Sequence, residues 1–286
     1  MDSNRNQVTD LDPRWGTPSP LHDPYILANF RPRPTDVLIV TAPKAGSTWM
    51  QQILHQMRTG GDPDFGSIFE AVPWLELPND APWQERLAAY ERIPEPRVFK
   101  THCAVLQTPG VDLARIVLIM RDPRECCVSM FHHVNGVTEE AMVLGRFDSM
   151  QACVDSFLEF GAWYRNVKDW WQERERENLR RFRYADLKAD PGSAVDALSR
   201  FLGWPLTAEE RARVLEYSSF PWMKAHSDKF TRMSADGPET VKKGQFIRRG
   251  EVGRSEEELT AAQSEMILAR ARAELEPECL RWLGIH

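Results

Sequence analysis

One junction constrains this chain more than any other feature: a short apolar, β-branched run that stops abruptly at a turn of small residues. Asp36-Val37-Leu38-Ile39-Val40-Thr41 fits a buried strand. Ala42-Pro43-Lys44-Ala45-Gly46 breaks it, and Ser47 to about Arg58 has a helical pattern. Strand, turn and helix in that order open many α/β folds. Such a turn exposes backbone N–H groups beside the positive end of a helix, and together these bind anions. Gly46 lets the backbone approach an anion closely, Lys44 supplies a point charge, and Ser47 and Thr48 supply hydroxyl donors. Lys precedes the Gly, so the segment is not the G-x-x-x-x-G-K-[ST] loop. A strand–helix turn with a surface Lys is the plain alternative.

The alternation continues along the chain. Arg97-Val98-Phe99-Lys100, Ala114 to Met120, and Arg181 to Tyr184 are further candidate strands. Helical patterns begin near Arg124, run from Ser149 to Asn178, and recur over Ser193 to Leu202 and over Glu256 to about Leu275, where Pro277 is expected to stop or kink the helix. Strands alternating with helices favour an α/β fold with a central parallel sheet flanked by helices. A chain of 286 residues, 42% hydrophobic, buries a core large enough for one domain over 35–286. Residues 1–34, rich in Pro, Asp and Asn, read as an arm or irregular lead-in. Met223 to Gly250 is polar, Lys-rich and weakly periodic, and reads as a long loop, expected to act as a lid.

Charge and composition narrow the function. A formal charge of −6 argues against a nucleic-acid-coating protein, yet allows a local cationic pocket for a small anion. No apolar run reaches the roughly 20 residues of an integral membrane segment. The first residues lack the apolar core of a secretory signal, so the expected compartment is cytoplasmic. Cys103, Cys126, Cys127, Cys153 and Cys279 are odd in number and lack paired spacing, which fits neither a disulfide framework nor a zinc site. No carboxylate cluster suited to Mg²⁺ is evident, and no metal is expected.

Three further segments carry chemistry. Arg121-Asp122-Pro123-Arg124-Glu125-Cys126-Cys127-Val128-Ser129 lies where a buried strand meets a helix, and a planar guanidinium there suits a phosphate. Capping and local pairing are its plain alternative. Lys100-Thr101-His102 follows a strand directly, which distinguishes His102 from the other histidines, although a lone His is more often structural. Phe246-Ile247-Arg248-Arg249-Gly250-Glu251-Val252-Gly253 places two Arg before two Gly, as a flexible anion clamp or a solvated basic patch.

From about Asp36 to Glu265, the order and spacing of these segments resemble the PAPS-dependent cytosolic sulfotransferases, PAPS being 3′-phosphoadenosine-5′-phosphosulfate. Pro43 to Trp49 is similar to that family's 5′-phosphosulfate loop. Arg121 with Ser129 resembles its 3′-phosphate motif, and Arg248-Arg249-Gly250 with Gly253 resembles its C-terminal clamp. Lys100-Thr101-His102 matches its K-T-H, Tyr184 its adenine-binding Tyr, and Ser218-Ser219-Phe220 with Met223 a segment near the nucleotide. The resemblance implies a P-loop nucleotide-kinase-like sulfotransferase fold. It also implies donor binding by Lys44, Ala45, Gly46, Ser47, Thr48 and Trp49, with adenine between Trp49 and Phe220. The 3′-phosphate is then expected on Arg121, Ser129, Arg248, Arg249 and Gly250. His102 is the implied general base, Lys44 steadies the leaving phosphate of PAP (adenosine 3′,5′-bisphosphate), and Lys100 contacts the sulfuryl oxygens. Departures exist: Gly253-Arg254-Ser255 replaces Gly-Asp-Trp, and Cys103-Ala104 follows the K-T-H where Leu-Pro is common. In the family's dimer motif the Lys has become Glu256 and the Val Ala261, so the C-terminal dimer is not expected.

The acceptor is expected to be a hydroxyl on a mostly apolar small molecule. Trp74, Met130, Phe131, Met142 and Phe147, with Phe65, Phe69 and Trp83 nearby, are candidates for an apolar pocket, though each also suits plain core. Phenols, aliphatic alcohols, sterols and glycolipids stay open. An ATP-dependent small-molecule kinase on a related fold is the alternative from another class, and would need Mg²⁺ ligands but no 3′-phosphate clamp. A non-catalytic PAP-binding protein is the third reading, opposed by His102 and Lys44.

Overall fold

The junction at Thr41 sits inside a four-stranded parallel sheet of order β2-β1-β3-β4. The computed structural model describes residues 11–143, 145–242, 246–247, 253 and 255–285. The strands are β1 (Val37–Thr41), β2 (Val98–Thr101), β3 (Arg115–Met120) and β4 (Leu179–Arg183). Pairing of Val40 with Thr101, Thr41 with Ile119, and Met120 with Arg183 brings all four carboxyl ends to one edge. Ligands bind at that edge of open parallel sheets.

Alternate side chains of β1 and β3 feed two cores. Leu38, Val40, Ile116, Leu118 and Met120 pack with Trp163, Trp170 and Trp171. Val37, Ile39, Val117 and Ile119 pack with Met50, Ile53, Leu54 and Leu198. At the opposite edge a fully buried Arg97 pairs with a fully buried Asp36, its guanidinium Nη2 2.6 Å from the carboxylate, and fastens the starts of β1 and β2.

Three expectations about elements change and a fourth is refined. The lead-in is not irregular throughout: Pro24–Asn29 is a helix capped by Asp23, and Ile26, Leu27 and Phe30 are core residues. Phe30 meets Phe99 of β2 edge-on at 4.9 Å. The pattern over Ser149 to Asn178 is two helices, Met150–Phe160 and Ala162–Gln172, separated by Gly161 at φ 58°. The pattern from Glu256 is likewise two, Ser255–Glu258 and Ala261–Glu274, the second opened by a capping box between Thr260 and Gln263. Of the two outcomes expected at Pro277 the stop is the one seen: the helix Ala261–Glu274 ends just ahead of it, and Pro277 itself starts the helix Pro277–Leu283 in the first turn, where its missing N–H costs no bond.

The stretch called a long loop also carries structure. Met223 lies in the helix Phe220–Ala225, and Asp228–Thr231 forms a further helical turn. Phe230 and Val241 are buried, and Lys242 N–H donates to the Gly136 carbonyl at 2.8 Å. Polar composition concealed these few buried anchors. Among the described residues no helix is long and apolar enough to cross a membrane.

Candidate active site

The turn after β1 is shaped by two residues in the left-handed region, Lys44 at φ 68° and Gly46 at φ 112°. Gly46 is required twice over. Its φ disfavours a side chain, and a Cβ there would lie 2.6 Å from Cδ2 of Tyr184. Ala45 is buried, and its N–H closes the turn on the Ala42 carbonyl at 3.2 Å. Gly46 caps the helix Ser47–Arg58 without any side-chain bond, so the first N–H groups, at Ser47, Thr48 and Trp49, receive no side-chain cap and form the kind of helix end that suits an anion.

The end of β2 brings the second group. Pro73 to Leu75 run alongside it, with Lys100 N–H donating to the Pro73 carbonyl and Leu75 N–H to the Lys100 carbonyl, both at 2.8 Å. This places Trp74 against the site. Lys100 Nζ lies 3.7 Å from the centre of its ring, and the His102 ring meets it edge-on at 4.8 Å. His102 Nδ1 is 2.6 Å from the Thr41 carbonyl oxygen. A carbonyl only accepts, so Nδ1 carries the proton and Nε2 keeps its lone pair. The backbone N–H of His102 donates to buried Glu76 at 2.7 Å.

Electrostatics couples the two groups. Burial, reinforced by Arg121, pulls Lys44 down to about 7. Burial pulls Lys100 to about 7 as well; Glu76 opposes the shift and Lys44 adds to it. His102 is held well below the ordinary imidazole value, by burial first and then by Lys100 and Lys44, while the Thr41 bond acts the other way. It is therefore neutral at pH 7, the state a proton acceptor needs.

Arg121 closes the third side. Its Nη1 donates to the Lys44 carbonyl at 3.2 Å, its Nη2 to Glu125 at 2.9 Å, and its guanidinium lies 4.3 Å from the Tyr184 ring centre. Tyr184 meets Trp49 edge-on at 5.7 Å, and Trp49 Nε1 donates to the Ser218 carbonyl at 2.8 Å. The Ser218 hydroxyl is spent on the Val214 carbonyl at 2.5 Å. Met223 is buried in the second core, and half-buried Phe220 opens its helix beside Lys224. Ser129 is half-buried on the helix Pro123–Gly136, which also carries Glu125.

Arg248, Arg249 and Gly250 lie outside the described residues. Their flanks return to the site. Phe246 lies 5.4 Å from Lys44 Nζ and 5.7 Å from the ring of His133. The N–H groups of Gly253 and Ser255 both donate to Glu125 at 3.0 Å.

Of the proposed acceptor-pocket residues, Trp74 joins the site. Phe65 and Phe69 pack in the second core, Phe65 against His55 at 4.7 Å, and Trp83 packs on the first core. Met130, Phe131 and Phe147 are partly buried against the first core, and Met142 is half-buried. Three site residues escaped sequence reasoning. Glu76 had a usable signal, a carboxylate inside an apolar run. Glu125 and His133 had none, since their roles depend on what the fold sets opposite them.

A model for the "Sulfotransferase domain" family matches residues 34–276. Sulfotransferase 2A1 of Macaca fascicularis is 31% identical over 241 residues, 80% of each chain. The 3-alpha-hydroxysteroid sulfotransferase of Cavia porcellus is 30% identical over 246 residues, 82% of each. The crystal structure of mouse sulfotransferase SULT7A1 complexed with PAP covers 89% of each chain at 23% identity with a TM-score of 0.70, which shows a common fold. The chain thus belongs to the sulfotransferase family, and it is a PAPS-dependent sulfotransferase.

Proposed function

We propose that His102, Lys44 and Lys100 carry the chemistry. His102 Nε2 removes the proton of an acceptor hydroxyl as that oxygen bonds to the sulfur of the donor. The bond from sulfur to the 5′-phosphate oxygen breaks, and PAP leaves with that electron pair. Lys44, beside the uncapped helix end, steadies the charge on the leaving oxygen, and Lys100 contacts the sulfuryl oxygens. Arg121 and Ser129, with Arg248, Arg249 and Gly250, hold the 3′-phosphate. Trp49 and Phe220 flank the adenine, Tyr184 hydrogen-bonds it, and Ser218 and Met223 shape its surroundings. The observation that carries this reading is the placement of His102, whose Nδ1 is held on the Thr41 carbonyl at 2.6 Å while its ring meets Trp74, the same ring that Lys100 covers, so that Nε2 is left as the proton acceptor.

The proposed acceptor is the hydroxyl of a mostly apolar small molecule, taken up in the cytoplasm. Trp74 beside His102 supports an apolar body there. The name of the Cavia porcellus relative, a hydroxysteroid sulfotransferase, puts polycyclic alcohols first among probes. The test is sulfate transfer from PAPS to a hydroxysteroid, a simple alcohol and a phenol, by the wild type and His102→Ala. His102→Ala is expected to lose about 10²–10⁴-fold in kcat on the alcohols while PAP affinity holds. Near-normal turnover of an alcohol would place the base elsewhere. Calorimetry without Mg²⁺ is expected to rank PAP well above AMP and ATP, and equal affinities would remove the 3′-phosphate assignment.

A further inference from the structure

We propose that Glu125 is a positioning residue that sets the grip on the 3′-phosphate by holding two separate parts of its clamp at once. The inference rests on the clamp assignment made above. Glu125 is only 6% exposed, in the first turn of the helix Pro123–Gly136. One carboxylate oxygen accepts from Arg121 Nη2 at 2.9 Å. The other accepts from the N–H groups of Gly253 and Ser255, each at 3.0 Å. Gly253 and Ser255 stand three and five residues beyond Gly250, and Gly253 is the last glycine of the clamp motif, so one side chain joins the strand-end Arg to the C-terminal end of that motif.

The arrangement is specific to a carboxylate. Three N–H donors converge on it, and an ionised carboxylate has lone pairs for all of them without a proton of its own. Arg121 is fixed on its other side by the Lys44 carbonyl at 3.2 Å and by the Tyr184 ring beneath it. Glu125 therefore ties the turn after β1, the end of β3 and the C-terminal segment into one frame. Its negative charge opposes an incoming phosphate, so simple Coulomb attraction predicts that neutralising it tightens binding. A positioning role predicts the reverse, because Arg121 and two backbone N–H groups lose their fixed acceptor.

Glu125→Gln separates the two. The Kd for PAP is expected to rise about 10- to 100-fold, the scale of a lost hydrogen bond to a charged group, while that for AMP, which lacks the 3′-phosphate, moves less than about threefold. If wild type binds PAP no better than AMP, the clamp assignment fails and takes this inference with it. If wild type prefers PAP and Glu125→Gln keeps or increases that preference, the assignment stands and the positioning role is overturned. Should Glu125→Gln not fold, hydrogen exchange on the wild type decides. PAP is expected to slow exchange of the Gly253 and Ser255 amides well beyond the effect of AMP, and equal slowing by both nucleotides overturns the proposal.

Discussion

Lys44 is held against its ordinary preferences in both backbone and side chain. It is the one non-glycine with positive φ among the described residues, and its ammonium is pulled down to about 7 by burial and Arg121. A left-handed L-residue costs about 1–2 kcal/mol. Lys44→Gly is therefore expected to be about 1 kcal/mol more stable than Lys44→Ala in urea denaturation, with turnover lost in both. The opposite order of stability would show that the φ is not imposed. Acidity gives a second expectation. Lys44 and Lys100 are charged below about 7 and lose their protons as the pH rises through it. If the donor's phosphosulfate binds between them, as proposed above, its negative charge raises both and restores their protons. The profile of kcat/KM, which reports the free enzyme, should fall above about pH 7, while kcat holds to higher pH. His102, held well below 6.5, should put the acid limb below the usual imidazole range. Coincident alkaline limbs in the two profiles, measured with an alcohol acceptor, would exclude lysine deprotonation as their cause.

At the level of elements, the described residues from Ser219 to Lys242 are held in place. Lys229 Nζ donates to the Phe65 carbonyl, Phe230 is fully buried, and Thr240 N–H donates to the Thr231 carbonyl at 2.7 Å. Trypsin is accordingly expected to cut slowly after Lys229 even without nucleotide, as mass spectrometry of a limited digest would show. Rapid cutting there, suppressed by PAP, would restore the lid over its whole length. This segment also shows what the sequence could not reveal. The strands were legible because Val37 to Thr41 and Ile116 to Met120 are continuous apolar runs bounded by breakers. Their clustering with Lys44, Lys100, His102 and Arg121 was legible because each of these stands at a strand's exit, and parallel strands exit on one side. The breaks at Gly161 and Thr260 were hidden inside continuous helical patterns, where one residue's conformation decides. Phe230, Ile26 and Leu27 were hidden because a few anchors in polar or Pro-rich surroundings leave no period to detect.

For the whole molecule the open quantity is its oligomeric state. The residues that resemble a family dimer motif have other partners within the chain. The Thr260 hydroxyl accepts from the Gln263 N–H at 3.2 Å, and Gln263 returns the bond to the Thr260 N–H at 2.9 Å, which starts the helix Ala261–Glu274. Glu265 pairs with Arg272 at 2.9 Å. Glu256, where the motif has Lys, is exposed beside Glu257, so a two-fold copy brings like charges together. Light scattering at micromolar concentration is expected to give the mass of one chain, about 32.9 kDa. If a dimer forms through another face, it should be indifferent to Glu256→Lys and Ala261→Val. Thr260→Ala should lower the unfolding free energy by about 1 kcal/mol, the cost of a lost N-cap, without changing that mass. A dimer that dissociates on Thr260→Ala or Glu265→Ala would show that these side chains face a second copy, and that the capping box and the Arg272 pair do not exhaust their role.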